Sequence, residues 1–427
     1  MIILDTALEQ READGNPIRL GIVGSGYMAR GVAAQVLAGM PGLRIGGFAA
    51  RNLEAAGAIL GEYGIEAAPV NGEAEVAAAT REGRPLLTPD PALLSASTAV
   101  DVIVETTGEV EFGANVVLDA IRNRKHVVLV NAELDATVGP MLKSYAESAG
   151  VVLTNTDGDE PGVAMNLLRY VRSIGLRPVL TGNIKGFIDP YRTPETQAAF
   201  AESVGQRPKM ITSFADGTKL AMETTIVANA AGFGVARRGM NGWPCSHVRE
   251  VLDLVSPEQF ADGGLVDYVL GAEPGSGAFV VGLSDEPVRR QYLKYFKMGE
   301  GPLYLFYTPW HLPQAEAPLT AARAALFNDA SVTPLAGPRC DVVTMAKRDL
   351  ARGETLDGIG GFTCFGTIEN FAESRRANLL PMGLSEGCTL VRDVERGTPM
   401  TFDDVELPPG RLADRLRREQ DLHFASV

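Results

Sequence analysis

Lys219 and Glu223 stand four residues apart in the stretch Lys219–Ala231 and share one face of a helix. Their neighbours Leu220, Ala221, Met222, Ile226, Val227 and Ala228 make that helix apolar nearly all round, as in a buried one. A surface pair is the ordinary outcome of such spacing, but buried charges need partners or a task. A lysine beside a carbonyl supplies a proton or stabilises an enolate. Upstream, GNIKGFIDPYR combines an alternating strand that delivers Lys185 with a loop carrying Asp189 and Arg192. Lys185, Asp189, Lys219 and Glu223 are therefore the catalytic candidates. Arg192, Asn229 and Lys294 are the substrate-binding ones, cations such as Arg192, Lys219 and Lys294 being natural ligands of phosphate or carboxylate.

NTDGDEP places Asp157, Asp159 and Glu160 within four residues. Such acids repel one another unless solvated, protonated or shared by a cation, and their oxygens suit Mg²⁺ or Mn²⁺. The alternative is a solvated turn whose acids favour a helix N-terminus opened by Pro161. Of the four histidines, His126 reads as structural at the head of a strand, and His311, in YTPWH, is the one worth testing for function, although its aromatic setting equally fits packing.

These residues need a scaffold, and the first third of the chain describes one. Candidate strands Ile18–Val23, Leu43–Ala49, Val100–Glu105, His126–Val130 and Val151–Thr154 alternate with helical stretches such as Met28–Leu37 and Ala114–Asn123. Continuous apolar strands separated by helices argue for a parallel sheet covered on both faces. The region 64–97 exceeds one such repeat and reads as an insertion. Further on, strands are expected at Pro178–Lys185 and Met210–Phe214, and a mixed aromatic stretch at Tyr292–Leu312. After Pro334, short strands with glycine turns suggest a β-rich module, with related segments at Lys347–Thr355 and Val391–Pro399. The expected division is residues 1–160, a parallel-sheet domain; 161–334, an α+β substrate and dimerisation domain; and 335–427, the small β-rich module.

Directly after the first strand, Gly24, Ser25, Gly26, Tyr27, Met28 and Ala29 fit G-x-G-x-x-A at the start of a helix. Gly24 allows the tight turn, Gly26 lets backbone approach a pyrophosphate, and Ala29 lets helix pack on strand. Amides at the helix N-terminus then face the phosphates. The second strand ends at Arg51 and Asn52, where an acid would bind both ribose hydroxyls of NAD. A guanidinium there stacks on adenine and pairs with a 2′-phosphate, so NADP(H) is the expected cofactor. Arg51 opening a solvated helix is the plain alternative. Thr106 and Asn131, at later strand ends, are expected to border the nicotinamide, while Glu105 and Glu109 also fit as ordinary loop acids.

The composition is that of an ordinary globular protein, with 45% hydrophobic and 22% charged residues among 427. A formal net charge of −14 argues against nucleic-acid or anionic-membrane partners. No apolar run approaches the roughly 18 residues of a membrane span, and the acidic start is unlike a signal peptide. Cys245, Cys340, Cys364 and Cys388 lack metal-binding spacing, so a reducing cytoplasm is expected.

Across most of its length the chain resembles the homoserine-dehydrogenase-like oxidoreductases with a C-terminal SAF-type module. The resemblance rests on GIVGSGYMARG, VETTG, KHVVLVNAE, TNTDGDEPG, GNIKGFIDPYRTPETQ, SFADGTKLAMETTIVANAAG, KMGEGPLYLFYTPWHLP and AKRDLARGETLDGIGGF. The best-known members are the reductoisomerase-like (type II) 1-deoxy-D-xylulose 5-phosphate reductoisomerases. The resemblance implies a homodimer that uses NADPH to make 2-C-methyl-D-erythritol 4-phosphate for isoprenoid synthesis, with a divalent cation suited to the rearrangement. It departs from homoserine dehydrogenase itself, where lysine follows the asparagine that is Asn131 here. A second enzymatic reading is an NAD(P)-dependent dehydrogenase of a branched sugar acid or polyol in catabolism. A third, non-enzymatic reading is an NADP(H)- and sugar-binding regulator. In the enzymatic readings the small-molecule partner is a sugar phosphate, sugar acid or polyol.

Overall fold

Ile18–Val23 (β1) lies at the centre of a seven-stranded parallel sheet ordered β3-β4-β2-β1-β5-β6-β7 in the computed structural model, which describes residues 3–425. The other strands are Leu43–Ala49 (β2), Ala68–Pro69 (β3), Leu86–Thr88 (β4), Val102–Glu105 (β5), His126–Leu129 (β6) and Leu153–Asn155 (β7). Helices Leu4–Ala13 (α1), Tyr27–Leu37 (α2), Leu53–Gly61 (α3), Glu73–Glu82 (α4), Pro91–Ala96 (α5), Val110–Arg122 (α6) and Ala132–Ala149 (α7) occur between or before them. β2 lies on one side of β1 and β5 on the other, so the strand order reverses at the carboxyl ends of β1 and β5. That reversal is where open α/β sheets bind ligands.

This sheet belongs to a unit built from the chain up to Asp159 together with Leu312–Thr333 and Arg415–Gln420. Its core sets Leu20, Ile22, Phe48, Val102, Val104 and Val128 against Ala29, Val32, Ala33 and Val36 of α2. Each large apolar side chain fully buried there contributes about 1.5–3 kcal/mol. Ala317, Ala321 and Ala322 of the helix Pro313–Phe327 join the same core, their small side chains allowing close approach. Region 64–97 is no insertion outside the sheet. It supplies β3 and β4, which extend the parallel order beyond β2 through Leu86–Thr88 beside Gly47–Ala49. Strands this short lack enough periodicity to reveal themselves in sequence.

The other unit comprises Glu160–His311, Pro334–Asp414 and the chain from Asp421 on. Arg177–Lys185 (β8) is the middle strand of a mixed sheet ordered β12-β11-β8-β10-β9. The remaining strands are Trp243–Pro244 (β9), Leu265–Leu270 (β10), Ala278–Leu283 (β11) and Leu303–Thr308 (β12). β8 pairs with β10 in parallel and with β11 antiparallel, its interior buried. Helices Glu160–Ser173 (α8), Pro194–Ser203 (α9), Pro208–Ala215 (α10) and Thr218–Ala231 (α11) accompany it. The strand expected at Met210–Phe214 is instead α10. Pro208 occupies its first turn, where the missing N–H costs nothing, and Thr212 Oγ1 donates back to the Pro208 carbonyl.

Small antiparallel pairs follow, Cys340–Ala346 (β13) with Cys364–Asn370 (β14) and Thr389–Leu390 (β15) with Val405–Glu406 (β16). The first pair grips α11 at both ends. Gly366 N–H donates to Thr218 Oγ1 at 2.8 Å, while Arg339 and Cys340 N–H donate to Asn229 Oδ1 at 2.7 and 3.0 Å. Just past β13, buried Lys347 lies 2.8 Å from Asp216, beside the start of α11, and donates to the Gly361 carbonyl at 2.7 Å. Among the described residues no helix is long and apolar enough to cross a membrane.

Candidate functional site

Gly24 adopts φ +118°, and a Cβ there would lie 2.5 Å from Thr106 Oγ1. Thr106 is held in place by donating its hydroxyl to the Val23 carbonyl at 2.7 Å. Only glycine fits this turn. At Gly26, the N-cap of α2, a Cβ would meet nothing within 4 Å, so protein packing does not demand glycine there. Open space beside an uncapped helix N-terminus is what an approaching pyrophosphate requires. Ala29 is buried on β1, Ser25 and Met28 are half-buried, and Tyr27 is exposed. These residues fit a dinucleotide.

Arg51 is 85% exposed at its side chain and pairs with Glu109 at 3.0 Å. Asn52 caps α3, its Oδ1 accepting from Ala55 N–H at 2.9 Å, so the side-chain oxygen is committed to the helix. At the tip of β5, Glu105 is fully buried. It accepts from Asn131 Nδ2 at 2.6 Å and Thr107 N–H at 2.8 Å. Burial pushes its carboxyl up to about 7 despite those two donors. Asn131 also caps α7 through Leu134 N–H at 3.0 Å and reaches the Glu109 carbonyl at 3.2 Å. Both functional groups of Asn131 are thus occupied in shaping the strand ends, which makes it a buried brace.

In the second unit the alternation of β8 puts Asn183 and Lys185 on one face. Both meet Glu160, the first residue of α8, and Glu223 of α11. Asn183 Nδ2 donates to Glu160 Oε2 at 2.6 Å and to Glu223 Oε2 at 3.1 Å. Lys185 Nζ forms a close pair with Glu160 Oε2 and lies 3.5 Å from Glu223 Oε2. Glu160 and Glu223 are 2% and 4% exposed at their side chains, against 20% for Lys185. Lys185 is thus the least buried of these three charged side chains. Burial pushes Glu223 up to about 8; Lys185 and Lys219 pull it back and neighbouring Glu160 raises it further. Around neutrality Glu223 therefore keeps its proton. His311 Nδ1 lies 3.8 Å from Glu160 Oε1.

Of the residues expected at this site, Lys185, Lys219 and Glu223 belong to one electrostatic group, with Lys219 buried in the first turn of α11. Asp189 and Arg192 form a local pair at 3.1 Å in the loop after β8, with Arg192 also over the Phe187 ring. The Asn229 side-chain oxygen anchors the entry to β13. Lys294 makes an exposed pair with Glu300 at 2.9 Å.

The acidic turn does not fit a metal. Asp157 closes on Arg323 and accepts from Ser331 Oγ at 2.6 Å and Thr320 Oγ1 at 3.0 Å. Glu160 turns instead to Lys185 and Asn183, and Asp159 is buried. Among the described residues no group of three or more His, Cys, Asp or Glu is placed to hold a metal ion. Asp157 and Glu160 are thus balanced by cationic side chains. Reasoning from sequence missed Asn183, although the N-I-K alternation signals that it shares a face with Lys185. It also missed Ser276, whose hydroxyl lies 3.0 Å from His311 Nδ1 and which no local pattern marks.

A family model described as the NAD-binding domain of homoserine dehydrogenase matches residues 24–154, and one described as the catalytic domain of the oxidoreductase DRL matches residues 158–317. None of the curated proteins matches the chain. Among solved structures, a homoserine dehydrogenase from Thiobacillus denitrificans is 15% identical, with 90% of this chain and 97% of that one covered and a TM-score of 0.44. The UDP-N-acetylglucosamine 3-dehydrogenase GnnA from Acidithiobacillus ferrooxidans is 13% identical, covering 75% and 92%, with a TM-score of 0.41. An NAD-binding oxidoreductase from Klebsiella pneumoniae is 19% identical, covering 40% of this chain and only 43% of that one, with a TM-score of 0.28.

Proposed function

We propose that this homoserine-dehydrogenase-like, nicotinamide-dependent oxidoreductase is an NADP-dependent dehydrogenase of a neutral polyol, interconverting a secondary alcohol and a ketone. The observation that carries the reading is the buried Glu160–Asn183–Lys185–Glu223 cluster, in which one partly exposed lysine side chain is flanked by two buried carboxyl groups. Glu160 neutralises the lysine at close range, so the cluster offers a hydroxyl oxygen a hydrogen-bond donor without a net positive seat for a phosphate or a carboxylate. That favours an uncharged member of the sugar-acid and polyol class.

The nicotinamide, when bound, supplies the hydride chemistry. Gly24–Ala29 would hold its pyrophosphate and Arg51 its 2′-phosphate. Lys185 works at the substrate oxygen, taking the hydroxyl proton in oxidation and returning it in reduction. Glu160 aims Lys185 and exchanges a proton with it, freeing the amine to accept the substrate proton in oxidation, and protonated Glu223 lets two acids share a small buried volume without mutual repulsion.

The rearrangement of a phosphorylated deoxy-ketose draws less support. It asks for a cationic phosphate seat and favours a divalent cation. Arg192 is paired with Asp189, Lys294 with Glu300, and Asp157 with Arg323. The test is a panel of ribitol, erythritol, myo-inositol, D-gluconate and 1-deoxy-D-xylulose 5-phosphate, assayed with NADP⁺ or NADPH. Turnover of a neutral polyol is expected; turnover of the phosphorylated ketose alone would overturn this reading.

A further inference from the structure

We propose that His311, steadied by Ser276, carries protons between the buried Glu160–Lys185 pair and water, a role that rests on the dehydrogenase reading above. Each turnover of an alcohol releases one proton as well as a hydride, and the group that receives it must discharge it before the next cycle. Glu160 cannot do so alone, since its side chain is 2% exposed. His311 can, being 35% exposed and the residue that meets Glu160 on its other oxygen.

The two oxygens of Glu160 face different partners. Oε2 engages Lys185 and Asn183, whereas Oε1 lies 3.8 Å from His311 Nδ1. That gap is closed by a small rotation or bridged by one water. Ser276 Oγ, 3.0 Å from the same Nδ1, can donate to a bare ring nitrogen and accept from a protonated one. It therefore holds the imidazole in either state.

The fold keeps Ser276 there. Ile184 N–H, between Asn183 and Lys185 on β8, donates to the Gly277 carbonyl at 2.8 Å. Gly277 has φ +103°, and a Cβ on it would lie 2.0 Å from the Thr308 carbonyl oxygen, so this loop is pressed against the end of β12. One strand thus positions both the lysine and the loop that seats the histidine.

In the oxidising direction the Lys185 ammonium first yields a proton to Glu160; the substrate O–H bond then breaks and its proton passes to the freed Nζ, while the C–H electron pair leaves with the hydride. The Glu160 carboxyl turns and hands the proton it received to His311 Nδ1. The ring then loses a proton from Nε2 to water and recovers its starting tautomer by exchange with solvent. The titratable groups gathered on this route are Glu160, Lys185 and Glu223, with Lys219 acting on Glu223.

Two measurements decide the matter. On the best neutral polyol of the panel, His311→Ala and His311→Gln should each lower kcat about tenfold or more in dilute buffer while leaving KM within about twofold. Added imidazole should restore His311→Ala. Wild-type kcat in both variants, or a loss confined to His311→Ala, overturns the relay and leaves the dehydrogenase reading standing. Second, the solvent deuterium isotope effect on kcat should be larger in His311→Gln than in the wild type, because proton release then limits turnover; an unchanged isotope effect overturns the relay. Absence of wild-type turnover on every polyol condemns the dehydrogenase reading instead.

Discussion

Arg51, just past the tip of β2, and Glu109, in the loop after β5, form an ion pair of 3.0 Å. In the proposed NADP(H) reading, a 2′-phosphate would have to win the guanidinium from this carboxylate, which would also repel the incoming anion, so Glu109 is expected to temper coenzyme preference. Arg51→Ala should weaken NADPH binding about tenfold or more with little effect on NADH. Glu109→Gln should tighten NADPH binding. Fluorescence titrations at low and moderate salt check both, since exposed charges are screened as salt rises.

Three buried acids should make the protein less stable as pH rises. Burial raises Glu105 and Asp135 to about 7 and Glu223 to about 8, above ordinary values of 4.5, 3.8 and 4.5. Between the ordinary and raised values the folded chain holds protons that the unfolded chain has lost, so stability falls with pH across that window and levels off above it. For Glu105 the full loss is roughly 3 kcal/mol. Unfolding of Glu105→Gln followed from pH 5 to 8 should show a flatter decline than the wild type.

Lys185→Met should reduce kcat by about 10²-fold or more while NADPH binding persists. Glu223→Gln should behave differently. Near pH 7 the native side chain already carries its proton, so the amide is expected to change turnover little there. Above pH 8 the two proteins should diverge, because only the glutamate ionises. A pH–rate profile distinguishes these outcomes.

Lys347 joins the C-terminal strands to the start of the lysine-bearing helix. Its contact with Asp216 is close in distance but not aligned as a hydrogen bond, and both side chains are almost fully buried. Lys347→Met would strand a buried carboxylate and should cost about 3–5 kcal/mol. Asp216→Asn in the same chain should recover part of it. Urea unfolding of the single and double variants measures the coupling.

The sequence by itself determined the parallel-sheet framework. β1 and β2 match their apolar runs, and Gly24 is dictated by a turn only glycine can make. Local pattern also placed Lys185 on a strand and Lys219 with Glu223 on a buried helix, since side-chain periodicity and burial are written along the chain. Which partner each charge meets is not written there. Asp157 and Glu160 look alike in one acidic turn, yet one closes on Arg323, 166 residues away, and the other on Lys185. Asn229 and Ser276 likewise acquire meaning only from chain segments remote in sequence. Hydrogen bonds and ion pairs act over a few ångströms, so the tertiary fold alone decided which partner each charge meets and how deeply each is buried.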